Sequence, residues 1–181
     1  MTKRLIFLVV FVFACLSCEV DEIPETDNEA PAFSFKITGD GFDRTFTQED
    51  SFEDFQLNLR GNVEYEFILS GSDQGGVENI SFLFSNESIQ LQSSIPEGWE
   101  VTDNGFSTTI QFDGDRNNPI TGNILAGRFI ATGQFTGDNL LSDAFLFQVT
   151  DYGGADGTSR NVTRAELTLL IGELTTEIIP L

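Results

Sequence analysis

Large apolar side chains recur at every second position along this chain, and many of them are phenylalanine. Phe33, Phe35 and Ile37 alternate with Ser34, Lys36 and Thr38, and Phe145, Phe147 and Val149 alternate with Leu146, Gln148 and Thr150. A period of two puts one set of side chains on one face of an extended strand and the other set on the opposite face. The same rhythm runs through Phe55–Arg60, Val63–Ile68, Ile80–Ser85, Phe106–Phe112 and Leu167–Leu170, more weakly through Phe129–Gly133, and in the short pair Ile89 and Leu91. No long segment has helical spacing, and only Asp50–Phe55 suits a single helical turn. About ten short strands separated by Gly, Asn and Asp clusters predict an all-β domain, a sandwich of two sheets with a closed barrel as the alternative. Uneven strand and loop lengths favour the sandwich. A transmembrane barrel needs longer alternating segments than these.

Composition narrows the function classes. The 181 residues carry 29 acidic and 9 basic side chains, a net charge of −20, and no histidine. Such a charge repels nucleic acid and anionic head groups and favours cations, basic partners or a salty medium, solubility in a saline habitat being the usual explanation. Acidic chains with few aromatics remain disordered, but this one has 18 phenylalanines. A domain of about 145 residues buries roughly two-thirds of its unfolded surface and needs no disulfide. The only cysteines, Cys15 and Cys18, lie near the N-terminus.

That N-terminus reads Met-Thr-Lys-Arg, an apolar run from Leu5 to Leu16, then Ser17-Cys18. A basic region, an apolar stretch too short to span a bilayer and a small residue at a cut site make an export signal. With a cysteine directly behind the cut, it resembles a bacterial lipoprotein signal. The resemblance implies that residues 1–17 are removed and that Cys18 is lipidated and becomes the first residue of a membrane-anchored protein. Cys15 stands where the motif usually has leucine, so a cut before Cys15 is the alternative. Cleavage before Cys18 removes Lys3 and Arg4 and no acid, taking the net charge to −22 and leaving Lys36 as the only lysine. Residues 18–31 are acidic, hold Pro24 and Pro31, lack periodicity and read as a tether. The acidic stretch behind Cys18 resembles the surface-export signal of some Gram-negative outer-membrane lipoproteins, which implies the cell surface, with the periplasmic face as the alternative.

One internal motif occurs twice. Ser72-Asp73-Gln74-Gly75-Gly76-Val77 links two strands, and Val149-Thr150-Asp151-Tyr152-Gly153-Gly154 follows another. Aspartate bonds the backbone two residues on, and glycine permits positive φ. These segments resemble cadherin-type and other immunoglobulin-like domains of bacterial surface proteins. The resemblance implies a single antiparallel immunoglobulin-like sandwich over 32–174 with a C-terminal tail at 175–181. Both turns would then fall at one end, with Asp73 facing Asp151, and Asp156 nearby. Immunoglobulin-like domains run to about 100 residues, so the surplus is expected between Glu87 and Leu141.

Asp73, Asp151 and Tyr152 are therefore the expected binding residues, with Tyr152 as an exposed aromatic for stacking a glycan. Trp99 is expected in the core. Calcium is the one cofactor the oxygen ligands suggest, at Asp73 and Asp151 or in Asp113-Gly114-Asp115-Arg116-Asn117. That loop opens with ligands at alternate positions, but Asn118 replaces the turn glycine and Ile124 the closing glutamate. Without histidine, Ser-His-Asp and Cys-His catalysis are excluded; only a paired-carboxylate hydrolase remains chemically open. The sequence predicts a non-enzymatic envelope protein that binds, adheres or serves as a structural part, through a protein or glycan partner and not nucleic acid. The alternative is a calcium-dependent or glycan-binding accessory module of an outer-membrane uptake system.

Overall fold

A computed structural model describes residues 23–132 and 140–181. The expected signal peptide and lipidation site at Cys18 lie outside the described residues. Among these, the chain forms twelve strands: β1 (Ala32–Gly39), β2 (Phe42–Thr47), β3 (Phe55–Arg60), β4 (Glu64–Ser72), β5 (Val77–Ser85), β6 (Ile89–Leu91), β7 (Trp99–Asp103), β8 (Ser107–Asp113), β9 (Gly122–Ala131), β10 (Leu141–Asp151), β11 (Val162–Gly172) and β12 (Glu177–Pro180). A single 3-10 turn at Phe52–Asp54 precedes β3, where the sequence suited one helical turn. The strands make a two-sheet sandwich, not a barrel. One sheet runs β2-β1-β4-β9-β6 and the other β12-β3-β11-β10-β5-β8-β7. The surplus residues build β6 to β9, two strands for each sheet.

Three expectations are corrected. The sandwich is not wholly antiparallel, because β3 pairs parallel with β11, Leu57 opposite Leu169 and Leu59 opposite Ile171. Side-chain alternation sets the face a residue occupies, not the direction of its neighbour. The C-terminal tail is not free either: β12 completes the sheet against β3, with Ile178 opposite Leu57. Ile178-Ile179 is too short a run to show a period, and pairing satisfies the backbone groups β3 leaves open. The third correction concerns residues 18–31, which are not all tether. From Ile23 onward the segment packs on the domain, with Asp27 and Pro31 buried. Strand β2 escaped the sequence reading because Arg44 stands between Phe42 and Phe46 on the inner side. Its guanidinium lies 5.1 and 5.6 Å from the ring centres of Phe46 and Phe55 and bonds Asp50 at 2.8 Å. Cation–π contact and the ion pair let a charge sit where the pattern calls for an apolar residue.

Phenylalanine fills the space between the sheets. Phe35 and Phe67 from one sheet meet Phe82, Phe145 and Phe147 from the other, all nearly fully buried. Phe35 lies 4.7 Å from Phe147 and 5.6 Å from Phe82, ring centre to ring centre. Phe82 in turn meets Phe145 at 5.1 Å edge-on and Phe147 at 5.3 Å stacked. Aromatic pairs at these separations add to the area they bury. Trp99 is buried as expected, against Phe112 at 5.7 Å.

A second staple closes the end where β3 turns into β4. The Tyr65 hydroxyl accepts from Arg60 N at 3.0 Å and shares a 2.7 Å hydrogen bond with Thr176 Oγ1. Thr176 donates to Asp40 at 2.8 Å, and Arg60 pairs with the same carboxylate at 3.3 Å. Burial raises the Tyr65 pKa above its usual 10.0, so the phenol stays neutral and able to donate. Phe82→Ala is expected to cost about 3–5 kcal/mol. Tyr65→Phe, which removes the phenol's bonds but leaves the Arg60 amide on Thr176 and Thr176 on Asp40, is expected to cost about 0.5–1.5 kcal/mol. Guanidinium denaturation of each variant checks both values.

Candidate functional site at the Asp-x-Gly-Gly pole

The two Asp-x-Gly-Gly turns meet at one pole of the sandwich. Asp73 Oδ1 accepts the Gly75 amide at 2.7 Å, the local bond that makes the turn. Gly76 follows at φ +88, a conformation side chains resist. The second turn reaches across to the first: Tyr152 N donates to Gly76 O at 2.9 Å. Asp151 is fully buried, and Asn161 occupies both of its oxygens, its amide at 2.7 Å and Nδ2 at 2.8 Å. That carboxylate closes the long loop between β10 and β11.

The N-terminal segment binds this same loop through its backbone. Asp27 N donates to Gly153 O at 3.0 Å; Ala155 N and Asp156 N donate to Pro24 O and Glu25 O at 2.8 and 2.9 Å. Thr163 Oγ1 adds a 2.5 Å bond to Pro31 O. The approach is close enough to require glycine: a Cβ on Gly75 would stand 2.5 Å from Asp27 Oδ2 and 2.9 Å from Gly154 N. These bonds give the aperiodic acidic stretch its order. Local sequence carries no sign of them, because the partners lie about 125 residues away along the chain.

Asp27, Asp73 and Asp151 thus converge. Asp73 and Asp27 line an open cleft of about 560 Å³ with Pro24, Glu29, Gln74 and Thr121. Burial raises the Asp73 pKa from the usual 3.8 to about 7; the Gly75 amide opposes the shift, and the charge of Asp151, a hydrogen bond to Asp27 and the charge of Asp27 add to it. A carboxyl–carboxyl hydrogen bond needs one shared proton, so the cluster holds fewer charges than its residues suggest.

The expected site residues are placed as follows. Asp73 lies near enough to Asp151 for its charge to raise the Asp73 pKa, while both Asp151 oxygens are taken by Asn161. Tyr152 is not an exposed aromatic. It is 6% exposed, beneath the Arg116 guanidinium at 5.6 Å, and its backbone bond to Gly76 turns the ring inward. Burial, then Glu78 and Asp115, raise its pKa. The face needed to stack a sugar is covered. Asp113 takes hydrogen bonds from Asn79 at 2.8 Å and Gln111 at 2.6 Å. Asp115 caps its own turn, accepting from Asn117 N at 2.8 Å. Asp156 likewise accepts from Thr158. Among the described residues, no three His, Cys, Asp or Glu side chains are grouped to hold a metal ion. Asp27 and Asn161 are the members of this pole that sequence reading missed. Asn161 sits ten residues beyond Asp151 in a loop with no period, and Asp27 in the presumed tether.

No family model and no curated protein matches the chain. Among solved structures it aligns with BcpA, the major pilin subunit of Bacillus cereus, at TM-score 0.45 and 9% identity, over 79% of this chain and 41% of that one. A variant of the same pilin aligns at TM-score 0.42 and 11% identity, with the same coverage. The chain thus matches less than half of that pilin's length, and neither alignment bears on ligand, partner or activity.

The raised Asp73 pKa has a defined sign. Between its unfolded value and about 7 the folded state holds a proton the unfolded state has lost, so this group's stabilisation is full below about pH 4 and gone above about pH 7. Asp73→Asn keeps the acceptor for Gly75 and removes the titration. Its melting temperature is expected to match wild type near pH 4, to exceed it increasingly up to pH 7 and to hold that lead above. Thermal melts across pH 4–8 test this. Gly75→Ala is expected to loosen residues 23–31, read as faster amide exchange at Asp27, Ala155 and Asp156.

Proposed function

We propose that the chain is a lipid-anchored protein of the outer membrane, displayed at the cell surface, with a non-enzymatic binding or structural role. The observation that carries this reading is the docking of residues 23–31 on the domain. Only residues 19–22 separate Cys18 from Ile23. Fully extended, the five steps reach about 17 Å. Strand β5 alone, at nine residues, is about 30 Å long. An acyl chain on Cys18 therefore holds the Asp-x-Gly-Gly pole close to the bilayer and turns the opposite pole outward. In this reading the converging aspartates are part of the anchor's footing.

The absence of histidine supports a non-enzymatic role, since it removes the commonest general base. So does the use made of the buried carboxyls. Asp151 is spent on Asn161, and Asp27 receives the Glu29 amide at 2.9 Å while its backbone binds the second turn. These groups hold loops together.

Two measurements test the reading on the full-length chain in a Gram-negative host. Intact mass of the N-terminal peptide is expected to show a diacylglyceryl thioether on Cys18, and Cys18→Ser is expected to release the protein from membranes. A bare N-terminus on soluble wild-type protein overturns the anchor. Lys36, the only lysine after Lys3 and partly exposed, then reports the side. A membrane-impermeant amine reagent is expected to label it in intact cells. Labelling only after outer-membrane permeabilisation assigns the periplasmic face instead.

A further inference from the structure

The sandwich has four edge strands, and three of them are protected. Strand β6 is three residues long. Strand β12 carries Pro180, and Leu181 N behind it bonds Asp54 O at 2.8 Å. The chain after β2 folds back on it, Thr47 N donating to Asp50 Oδ2 at 2.8 Å and Arg44 to Oδ1 at the same distance. Short strands, proline and covering loops are the usual ways of blunting an edge. Among the described residues, strand β7 has none of these three. It pairs with β8 alone, contains neither proline nor a basic residue, and four of its five residues are exposed.

The register decides which backbone groups are open. Asn104 N donates to Ser107 O at the hairpin end. Alternation then turns the groups of Thr102 and Glu100 toward Thr109 and Gln111 on β8, and those of Val101 and Asp103 away from it. The apolar layer is also unfinished here. Val101 lies opposite the fully buried Ile110 and on the same face as Trp99, yet it is 47% exposed, because the seven-stranded sheet extends past the five-stranded one. At the hairpin tip Phe106 is 79% exposed and is held there. Asn104 Oδ1 accepts the Phe106 and Ser107 amides at 2.9 Å each, and Asn86 N bonds Phe106 O at 2.8 Å. A tip whose backbone is fixed in advance loses less entropy on binding than a free loop. Finally, the edge is negative: from Ile95 to Phe112 there are acidic side chains at Glu97, Glu100 and Asp103 and not one lysine or arginine.

We infer that β7 is a docking edge that accepts an added strand from a protein partner, an extended segment in which basic and apolar side chains alternate. The open groups of Val101 and Asp103 supply the main-chain bonds, as in other strand additions. Val101 and Phe106 cover the partner's apolar side chains, and Glu100, on the other face of β7, meets its cations. A second copy of this chain is a poor occupant, since it brings the same negative edge and a net charge of −20. The inference goes beyond the proposed function and stands whether or not Cys18 carries lipid.

The test uses the full-length chain in neutral detergent and two probe peptides. One is a blocked octapeptide of alternating lysine and valine. The other is the same peptide N-methylated at every residue, which keeps charge and side chains and loses the donors. The first is expected to slow amide exchange at Val101 and Asp103 at least tenfold and to leave Glu100 and Thr102 unchanged. The second is expected to produce no protection. Val101→Pro, which removes one open donor where an edge tolerates proline, and Phe106→Ala, on an exposed tip, are each expected to weaken binding of the first peptide at least fivefold with an unchanged melting temperature. Equal binding of the two peptides reduces the effect to charge attraction and overturns the inference. So does a lack of protection at Val101 and Asp103, or self-association through β7 without peptide. Failure here leaves the mass and labelling results on Cys18 and Lys36 untouched, so the two readings fall separately.

Discussion

Phe82 touches five other phenylalanine rings, two from the opposing sheet and three from its own. That contact between sheets is what the remaining structure hangs on. Each sheet has an apolar face that is stable only when covered, and the described residues include neither a cysteine nor a group of side chains that could hold a metal ion to join the sheets by other means. Rings from β1, β4 and β9 interlock with rings from β5 and β10, so the central strands of both sheets are held by the same cluster. Everything peripheral, from the crossing through β3 to the hairpin of β7 and β8, is built outward from it.

At the poles the chemistry changes from area to hydrogen bonds. One pole is closed by the Tyr65 hydroxyl with Thr176, Asp40 and Arg60; the other by Asp151 with Asn161 and by Asp73 with Asp27. In both, a buried polar group is matched to donors, from Thr176 far along the chain at the first and from Asn161 ten residues on at the second, which is what makes its burial tolerable. At the Asp-x-Gly-Gly pole, burial and the charges of Asp151 and Asp27 hold the Asp73 pKa up at about 7. The glycines that look like turn chemistry also have a second task there. Gly75 and Gly154 leave room for residues 23–31 to lie against the turns.

The molecule is consequently polar in the geometric sense. Its chain enters at the Asp-x-Gly-Gly pole, while Phe106 stands at the far end of strands running from it, Ser107 opposite Ser85 at the end of β5. Features that resemble a binding site by composition, the aspartates and Tyr152, are used internally. Features that composition does not mark, an open strand edge and a fixed phenylalanine at a hairpin tip, face outward. Charge acts on both: the surplus of acid resists self-association and leaves basic partners as the complementary ones.

A period of two is a local property. Most strands apart from β2, β7 and β12, their inward phenylalanines other than Phe106, the core Trp99 and the turns at Gly75 and Gly153 were therefore readable in the sequence, as was the all-β class. Strand direction, the pairing of β3 with β11, the ordering of residues 23–31 and the use of Ile178-Ile179 as an edge strand depend on partners a hundred or more residues distant. Nothing local encodes them. The same holds for Tyr152, whose ring is equally at home in water or under Arg116 until the two turns meet. Sequence decided which side chains leave water; the tertiary structure decided which of them, and which backbone groups, were left facing it.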